Sequence, residues 1–269
     1  MTTILDARGL YKSFGAVTAA ADVNAAIERD AVVGLIGTNG AGKTTFVNMV
    51  TGYLKPDAGT INFEGRDITA LEPRQVTRLG ICRSFQIPQL YNTLTVFDNM
   101  LVGLGIAARN IGQGGFFAKA NPLIPAHGMP MNEAALAILD QFGLKGERDK
   151  PARVLPGGVR KLLDIAMALT MKPKVLLLDE PTSGVSAQEK FGIMDLIMGV
   201  VRKEGATVLF VEHDMEVVSR YAGRVLAFYD GRIIADGAPD AVLADEEVQR
   251  VVVGRQQRGI GARPGAQHG

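Results

Sequence analysis

Residues 37–44 (Gly-Thr-Asn-Gly-Ala-Gly-Lys-Thr) fit the pattern G-x-x-x-x-G-K-[ST] and directly follow an apolar run at residues 31–36. The apolar run predicts a buried strand, and residues 45–50 continue as a helix behind the glycines. A strand, a glycine-rich loop and a helix in this order are typical of a phosphate-binding loop in an α/β protein. The sequence therefore predicts a site for the phosphates of ATP or GTP, the alternative being a strand-to-helix turn that only resembles one.

The residue types in this loop suit phosphate for separate physical reasons. Glycines let the backbone curl so that successive N–H groups point at phosphate oxygens, and the helix N-terminus adds positive potential. Lys43 supplies a mobile positive charge for the β and γ phosphates, and the Thr44 hydroxyl can coordinate Mg²⁺. The nucleotide-binding residues expected here are Gly37, Thr38, Asn39, Gly40, Ala41, Gly42, Lys43, Thr44 and Thr45.

Composition excludes several other classes of site and partner. The 269 residues carry 29 basic and 28 acidic side chains, a net charge of +1, which does not resemble the field of a nucleic-acid binder. No N-terminal signal and no run of about 18 apolar residues is present, so we expect the chain in the cytoplasm. Cys82 is the single cysteine and cannot form an internal disulfide or a cysteine-rich zinc site.

Strand-like runs alternate with helical periodicity, which predicts an α/β protein with a largely parallel central sheet and an inserted helical subdomain. Residues 103–130 are rich in Gly, Asn and Pro, so we expect a loop or a loosely ordered insertion there. Helices are expected at residues 133–142 and 161–171. Strands are expected at residues 3–27, 59–64, 81–86, 175–178, 207–211 and 225–229.

Two adjacent acids follow the apolar run at residues 175–178. Asp179 and Glu180 therefore lie at the C-terminal end of a central parallel strand, where ligands bind in open α/β sheets. We expect Asp179 to hold Mg²⁺, directly or through water, and Glu180 to orient and deprotonate the water that attacks the γ phosphate. A solvated turn with two neighbouring carboxylates is the alternative.

These motifs resemble those of the ATP-binding subunits of ABC transporters. The resemblance extends to residues 84–86 (Ser-Phe-Gln), similar to the Q-loop of that family, and to residues 211–214 (Val-Glu-His-Asp), similar to its switch histidine. Residues 155–159 (Leu-Pro-Gly-Gly-Val) occupy the place of its Leu-Ser-Gly-Gly-Gln signature. The resemblance covers about residues 3–254 and implies a P-loop ATPase, the ABC nucleotide-binding domain, with an antiparallel β subdomain.

The implied domain occupies residues 1–254, with its helical subdomain at about 87–172, and residues 255–269 are expected to form a disordered tail. The resemblance makes Gln86 a Mg²⁺ ligand beside Thr44 and Asp179, and the point of coupling to a transmembrane partner. It places His213 beside the γ phosphate, where the imidazole would position the attacking water together with Glu180 and Gln86.

The family also stacks an aromatic ring on adenine. Phe14 matches that position, with Tyr11 as the alternative, and either ring could instead belong to the core.

The resemblance further implies an assembly. Two ATPase chains would close head to tail around two ATP molecules, each bound by the P-loop of one chain and by the signature of the other, here Pro156, Gly157 and Gly158. Two transmembrane permeases and, indirectly, a periplasmic solute-binding protein would complete it, with the ATPase chains on the cytoplasmic face of the inner membrane. Residues 83–86, 94–96 and 212–215 look like those of importers of branched-chain amino acids, or of polar solutes such as urea or amides.

The chain departs from the family pattern in the elements donated to the partner. Pro156 replaces a serine, Val159 replaces a glutamine, and Ser186 stands where an Asp or Asn is usual. We therefore expect a heterodimer in which the P-loop site of this chain carries most of the turnover.

The motifs also allow three alternatives to an importer ATPase: an exporter ATPase of the lipopolysaccharide type, a partner that binds ATP but hydrolyses it weakly, and a DNA-repair ATPase. Neither heptads nor cysteine pairs support the DNA-repair ATPase.

Overall fold

The computed structural model describes residues 2–84, 89–110, 123–124 and 127–254. Its strands, in chain order, are β1 (Thr3–Phe14), β2 (Val17–Glu28), β3 (Val32–Gly37), β4 (Ala58–Phe63), β5 (Arg66–Asp67), β6 (Ile81–Ser84), β7 (Leu123–Ile124), β8 (Met129–Pro130), β9 (Val175–Asp179), β10 (Thr207–Val211), β11 (Arg224–Tyr229) and β12 (Arg232–Gly237).

A six-stranded sheet at the centre of the fold has the order β12, β11, β3, β10, β9, β6. Its pairings are parallel except that of β11 with β12. Along β9, Val175 and Leu177 pack into one hydrophobic core and Leu176 and Leu178 into another, because successive side chains point to opposite faces. A sheet covered on both faces explains the unbroken apolar runs, and the predicted largely parallel sheet is confirmed.

A second, antiparallel sheet has the order β2, β1, β4, β5. Strand β1 pairs with β2 through a tight turn after Phe14, so the long strand-like segment predicted at residues 3–27 is two strands. Buried side chains of this sheet, such as Leu5 and Ile27, share one core with Phe46 and Phe228. The β subdomain therefore lies against the P-loop face of the central sheet.

The α-helices lie around the two sheets. They are α1 (Lys43–Val50), α2 (Pro73–Leu79), α3 (Val96–Asn110), α4 (Met131–Gln141), α5 (Gly157–Leu169), α6 (Lys190–Glu204), α7 (Met215–Tyr221), α8 (Pro239–Ala244) and α9 (Glu246–Val248). Short 3₁₀ turns lie at Lys145–Glu147 and Ala152–Val154, and a π-helical turn at Gln249–Val253 follows α9. No helix in the described ranges is long and apolar enough to cross a membrane.

The prediction of a loop from residue 103 onward is wrong for residues 103–110, which belong to α3. Met100, Leu104 and Ala108 recur at four-residue spacing and are all fully buried, so tertiary packing outweighs the low helix propensity of the glycines. A Cβ at Gly103 would lie 3.3 Å from the Thr170 side chain, so the glycine permits close approach to the end of α5. Residues 111–122 lie outside the described part of the chain.

Helices α4 and α5 confirm the predictions at residues 133–142 and 161–171. Cys82 is buried in β6, as expected for a core residue, and burial raises the pKa of its thiol to about 12. Residues 255–269, predicted to form a disordered tail, are outside the described ranges.

Candidate functional site

The central sheet brings its functional side chains to one edge. Strand β3 ends at Gly37, β9 at Asp179 and β10 at Val211, and these strands are parallel. An open cleft of about 1540 Å³ lies beyond these ends. It is lined by Phe14, Val17, Ala19, Thr38, Asn39, Gly40, Ala41, Gly42, Lys43, Thr44, Thr45, Glu180, Lys190, Val211, His213, Asp214, Met215, Glu216 and Val253.

The P-loop curls tightly because two of its glycines have no room for a side chain. Gly42 has a φ of 106°, and a Cβ there would lie 2.6 Å from the backbone oxygen of Ala19. Gly37 has a φ of 151°, and a Cβ there would lie 2.4 Å from the backbone oxygen of Phe228. No side chain caps the start of α1 at Gly42, so the amides of its first turn remain available to an anion in the cleft.

The Lys43 ammonium lies inside the curl of the loop. Its Nζ donates to the backbone oxygens of Gly37 at 2.7 Å and Thr38 at 3.0 Å, and the residue is buried. Burial lowers the pKa of Lys43, while the carboxylates of Glu180 and Asp179 oppose that shift. The structure therefore places a buried cation where the loop would enclose phosphate.

The Asp179 carboxylate is buried and paired. Arg83 on the adjacent strand β6 donates from Nη2 to Asp179 Oδ2 at 2.5 Å and from Nη1 to Asn48 Oδ1 at 2.6 Å. Sequence reasoning did not connect Arg83 with the acidic pair. The available signal was its place on an expected strand, but the pairing of β6 with β9 could not be read from local sequence.

Glu180 and His213 lie next to each other in the cleft. The distance from His213 Nε2 to Glu180 Oε1 is 3.1 Å. Glu180 has a φ of 47°, a left-handed conformation that is rare for a residue with a side chain, and its N–H donates to the Val211 oxygen at 3.0 Å.

Glu212 anchors the segments that carry this pair. Its Oε1 accepts from the Thr182 amide at 3.0 Å and the Thr182 hydroxyl at 2.6 Å, and its Oε2 accepts from the His213 amide at 3.0 Å. The residue is buried, and sequence reasoning had included it only as part of a motif. It ties the turn after Glu180 to the end of β10.

A second cation, Lys190, borders the cleft at the start of α6. Its Nζ donates to Asp214 Oδ2 at 2.5 Å and to Glu216 Oε2 at 3.0 Å. The hydrogen bond that Lys190 donates to Asp214 raises its pKa most, and the one it donates to Glu216 raises it further. Asp214 also caps α7 by accepting from the amides of Glu216 and Val217. Sequence reasoning missed Lys190 because nothing in its local pattern indicates a functional side chain.

Phe14 lies at the rim of the cleft, 52% exposed, at the end of β1. Tyr11 is 41% exposed but is not among the cleft residues, and its hydroxyl lies 3.4 Å from Thr18 Oγ1. Of the two rings considered for adenine, the structure brings Phe14 to the P-loop.

The predicted signature residues do not line this cleft. Pro156 is the N-cap of α5, and Gly157 and Gly158 are the first two residues of that helix. None of the three lines the cleft. Pro156 and Gly157 are exposed, while a Cβ at Gly158 would lie 2.9 Å from Ile193 Cδ1. Gln86 lies outside the described residues, so its predicted role stays a prediction.

Together, the parallel sheet, the curled loop with its buried lysine, and the acid and histidine at the sheet edge define a P-loop ATPase domain. A family profile described as "ABC transporter" matches residues 20–183, more than half of the chain. The chain belongs to the ABC transporter family and is one of its ATP-binding, ATP-hydrolysing domains.

Two curated relatives resemble the chain over nearly its full length. The "Probable branched-chain amino acid transport ATP-binding protein LivG" of Archaeoglobus fulgidus is 34% identical over 260 residues, which cover 96% of this chain and 98% of the relative. The "High-affinity branched-chain amino acid transport ATP-binding protein LivG" of Escherichia coli K12 is 32% identical over 254 residues, covering 93% and 98%.

Solved structures give the same result. The ADP conformation of MJ1267, described as an ATP-binding cassette of an ABC transporter, has a TM-score of 0.80 at 32% identity and covers 97% of this chain and 100% of that chain. The fold class predicted from the sequence is therefore confirmed.

Proposed function

We propose that this chain powers an importer of branched-chain amino acids or of related small polar solutes. The observation that carries the proposal is the convergence of Lys43, Glu180 and His213 in one cleft, in a chain whose relatives are named as branched-chain amino acid transport proteins. The cleft supports ATP hydrolysis, and the relatives support the class of solute.

Each residue has a role in the proposed hydrolysis. On binding ATP, Lys43 exchanges the carbonyl oxygens of Gly37 and Thr38 for oxygens of the β and γ phosphates. Glu180 accepts a proton from water, whose oxygen then bonds to the γ phosphorus as the bond to the β–γ bridging oxygen breaks and ADP leaves. His213 donates to the γ phosphate, and Phe14 stacks on the adenine.

The donor set near the P-loop suits Mg²⁺ brought in with the nucleotide. The described residues contain no cluster of three or more His, Cys, Asp or Glu side chains able to hold a metal by themselves. Thr44 offers a hydroxyl in the cleft, and the buried Asp179 offers a carboxylate kept in place by Arg83. Mg²⁺ commonly keeps several waters and completes its shell with phosphate oxygens, so these two residues fit it, and the amide of Gln86 would be a third ligand if the family resemblance holds.

We also propose that the chain works in a head-to-tail dimer with a second, different ATPase chain, beside two transmembrane permeases and a solute-binding protein. The position of Pro156, Gly157 and Gly158 outside the cleft of their own chain supports a role at the nucleotide of a partner. With Pro156 and Val159 replacing the polar residues of the family signature, the site completed by this chain hydrolyses slowly.

Restoring the signature tests this asymmetry. The double variant Pro156→Ser, Val159→Gln should raise the turnover of the complete transporter, and the gain should survive inactivation by Glu180→Gln. No change in either background would overturn the asymmetric assignment.

Uptake tests the transport function. The chain is purified with its permeases and second ATPase chain, reconstituted in liposomes, and supplied with the associated solute-binding protein and ATP. Accumulation of leucine, urea or acetamide is the expected result. Transfer of lipopolysaccharide without accumulation of any of the three solutes would instead identify the exporter alternative.

A further inference from the structure

A buried lysine outside the P-loop contacts the C-terminal end of β9, next to the acidic pair Asp179 and Glu180. Lys161 is 2% exposed, and its Nζ donates to the backbone oxygen of Asp179 at 2.8 Å. The lysine belongs to α5, one helical turn after Gly157. A residue of the signature helix therefore contacts the peptide that precedes Glu180.

That peptide is held at both ends. Its carbonyl, from Asp179, accepts from Lys161, and its N–H, from Glu180, donates to the backbone oxygen of Val211 on β10. Two hydrogen bonds to different elements fix the orientation of a peptide plane more firmly than either one alone. The plane in turn limits the φ that Glu180 can adopt.

Glu180 needs such restraint because its φ of 47° is unfavourable for a residue with a Cβ. A left-handed residue of this kind persists only where its surroundings hold it. In this conformation, Glu180 Oε1 lies 3.1 Å from His213 Nε2. If the carbonyl were released, the peptide could rotate and relieve the strain, and the carboxylate would move away from the histidine.

The charge of Lys161 favours the same arrangement. Besides Asp164 on its own helix, the acidic groups that interact with it are Asp179 and Glu180 after β9 and Glu212 after β10. An ammonium at this position attracts the two segments that carry the acid and the histidine. A neutral side chain of the same length would remove both the hydrogen bond and this attraction.

We propose that Lys161 is a positioning residue for ATP hydrolysis, which holds the Asp179–Glu180 peptide so that the Glu180 carboxylate faces the attacking water. This inference rests on the proposed role of Glu180 as the base. Lys161 does not line the cleft and acts through the backbone of β9.

The test compares four variants of the full chain in the purified transporter. Lys161→Met should lower kcat about 10- to 100-fold with little change in the Kd of MgATP, because the base is displaced while the P-loop is untouched. Lys161→Arg should stay within about threefold of wild type, since a guanidinium can also donate to the carbonyl. Arg160→Met is the matched control: Arg160 contacts Ala152 and Asn92 instead of β9, and its loss should leave kcat unchanged.

A double-mutant cycle with the fourth variant, Glu180→Gln, separates positioning from general destabilisation. In the Glu180→Gln background, Lys161→Met should lower the residual single-turnover rate by less than about twofold, since the group it positions is already absent. A purely structural defect would lower the rate in both backgrounds. If Lys161→Met does not fold, Lys161→Leu, which also lacks a hydrogen-bond donor, takes its place, with the same loss of kcat expected.

The outcomes separate the positioning role of Lys161 from the proposed base. Wild-type turnover in Lys161→Met with a strong loss in Glu180→Gln would overturn the positioning role alone. Near-normal turnover in Glu180→Gln would overturn the proposed base and, with it, this inference. A loss of MgATP affinity that accounts for the fall in kcat/KM would also overturn the positioning role.

Discussion

Replacing Gly42 by alanine should destabilise the chain far more than the same change at Gly40, although both glycines belong to the P-loop and both have positive φ. Gly40 has a φ of 79°, and a Cβ added there would meet no atom within 4 Å, so Gly40→Ala carries only the left-handed cost, about 1–2 kcal/mol. At Gly42 the φ is 106°, and the added methyl would lie 2.6 Å from the backbone oxygen of Ala19 and 3.2 Å from the Gly231 Cα.

The atoms around Gly42 cannot move cheaply because they belong to paired backbone. The Ala21 amide donates to the Gly231 oxygen at 2.8 Å, and the Gly231 amide donates to the Ala41 oxygen at 3.1 Å. Overpacking of this kind adds about 1–3 kcal/mol to the left-handed cost. The expected loss of unfolding free energy is therefore about 2–5 kcal/mol for Gly42→Ala and about 1–2 kcal/mol for Gly40→Ala.

Urea unfolding of the full chain measures both values, and m should be unchanged if only stability differs. Thermal unfolding gives a second measure, at about 2–4 °C of Tm per kcal/mol for a chain slightly smaller than this one. Equal losses for the two variants would show that the contact with Ala19 and Gly231 does not set the shape of the loop. A larger loss at Gly40 would refute the reasoning outright.

Three further predictions concern the cleft. Glu180→Gln should cut ATP turnover of the reconstituted transporter by about 100-fold or more and preserve ATP affinity, because the amide keeps the shape and loses the base; near-normal phosphate release would exclude Glu180 as base. Lys43→Ala should weaken MgATP binding measured by calorimetry about tenfold or more, since two charge-assisted contacts are lost, and unchanged affinity would remove Lys43 from the site. Phe14→Ala should weaken the binding of ATP and of GTP by a similar factor of about ten, because stacking contributes about 1–3 kcal/mol per base with little base preference. Tyr11→Ala is the matched control and should leave both affinities unchanged, because Tyr11 does not line the cleft.

The sequence predicted best those features that depend on residues close together in the chain. The apolar run before Gly37, the glycine spacing and the apolar run before Asp179 are local patterns, and the structure brings both loops to one sheet edge. Parallel strands have their carboxyl ends on one side, so placement of each motif after a strand was enough to predict the meeting of Lys43 with Glu180.

Contacts between distant segments could not be predicted in this way. Arg83 and Asp179 are separated by 96 positions, and their ion pair depends on β6 lying next to β9. The extension of α3 to Asn110 depends on packing against α5, which overrides its glycines. Lys161 looks from sequence like one more cation on an amphipathic helix, and only its burial distinguishes it from a solvated one.

The two halves of the cleft differ in what must change when nucleotide arrives. In the half that contains Lys43, the ammonium is already bound by the backbone of its own loop. It donates to two loop carbonyl oxygens, which phosphate oxygens would replace. The acid half is already held in place, with Glu180 fixed by Val211 through its amide, by His213 through its carboxylate, and by Lys161 through the preceding carbonyl. If Glu180 is the base, as proposed, its fixed position before ATP binds means that it needs no reorganisation at the moment of reaction, which lowers an electrostatic barrier. We therefore expect ATP binding to move the lysine and leave the glutamate where it is, so that control of turnover falls on closure of the dimer over the cleft.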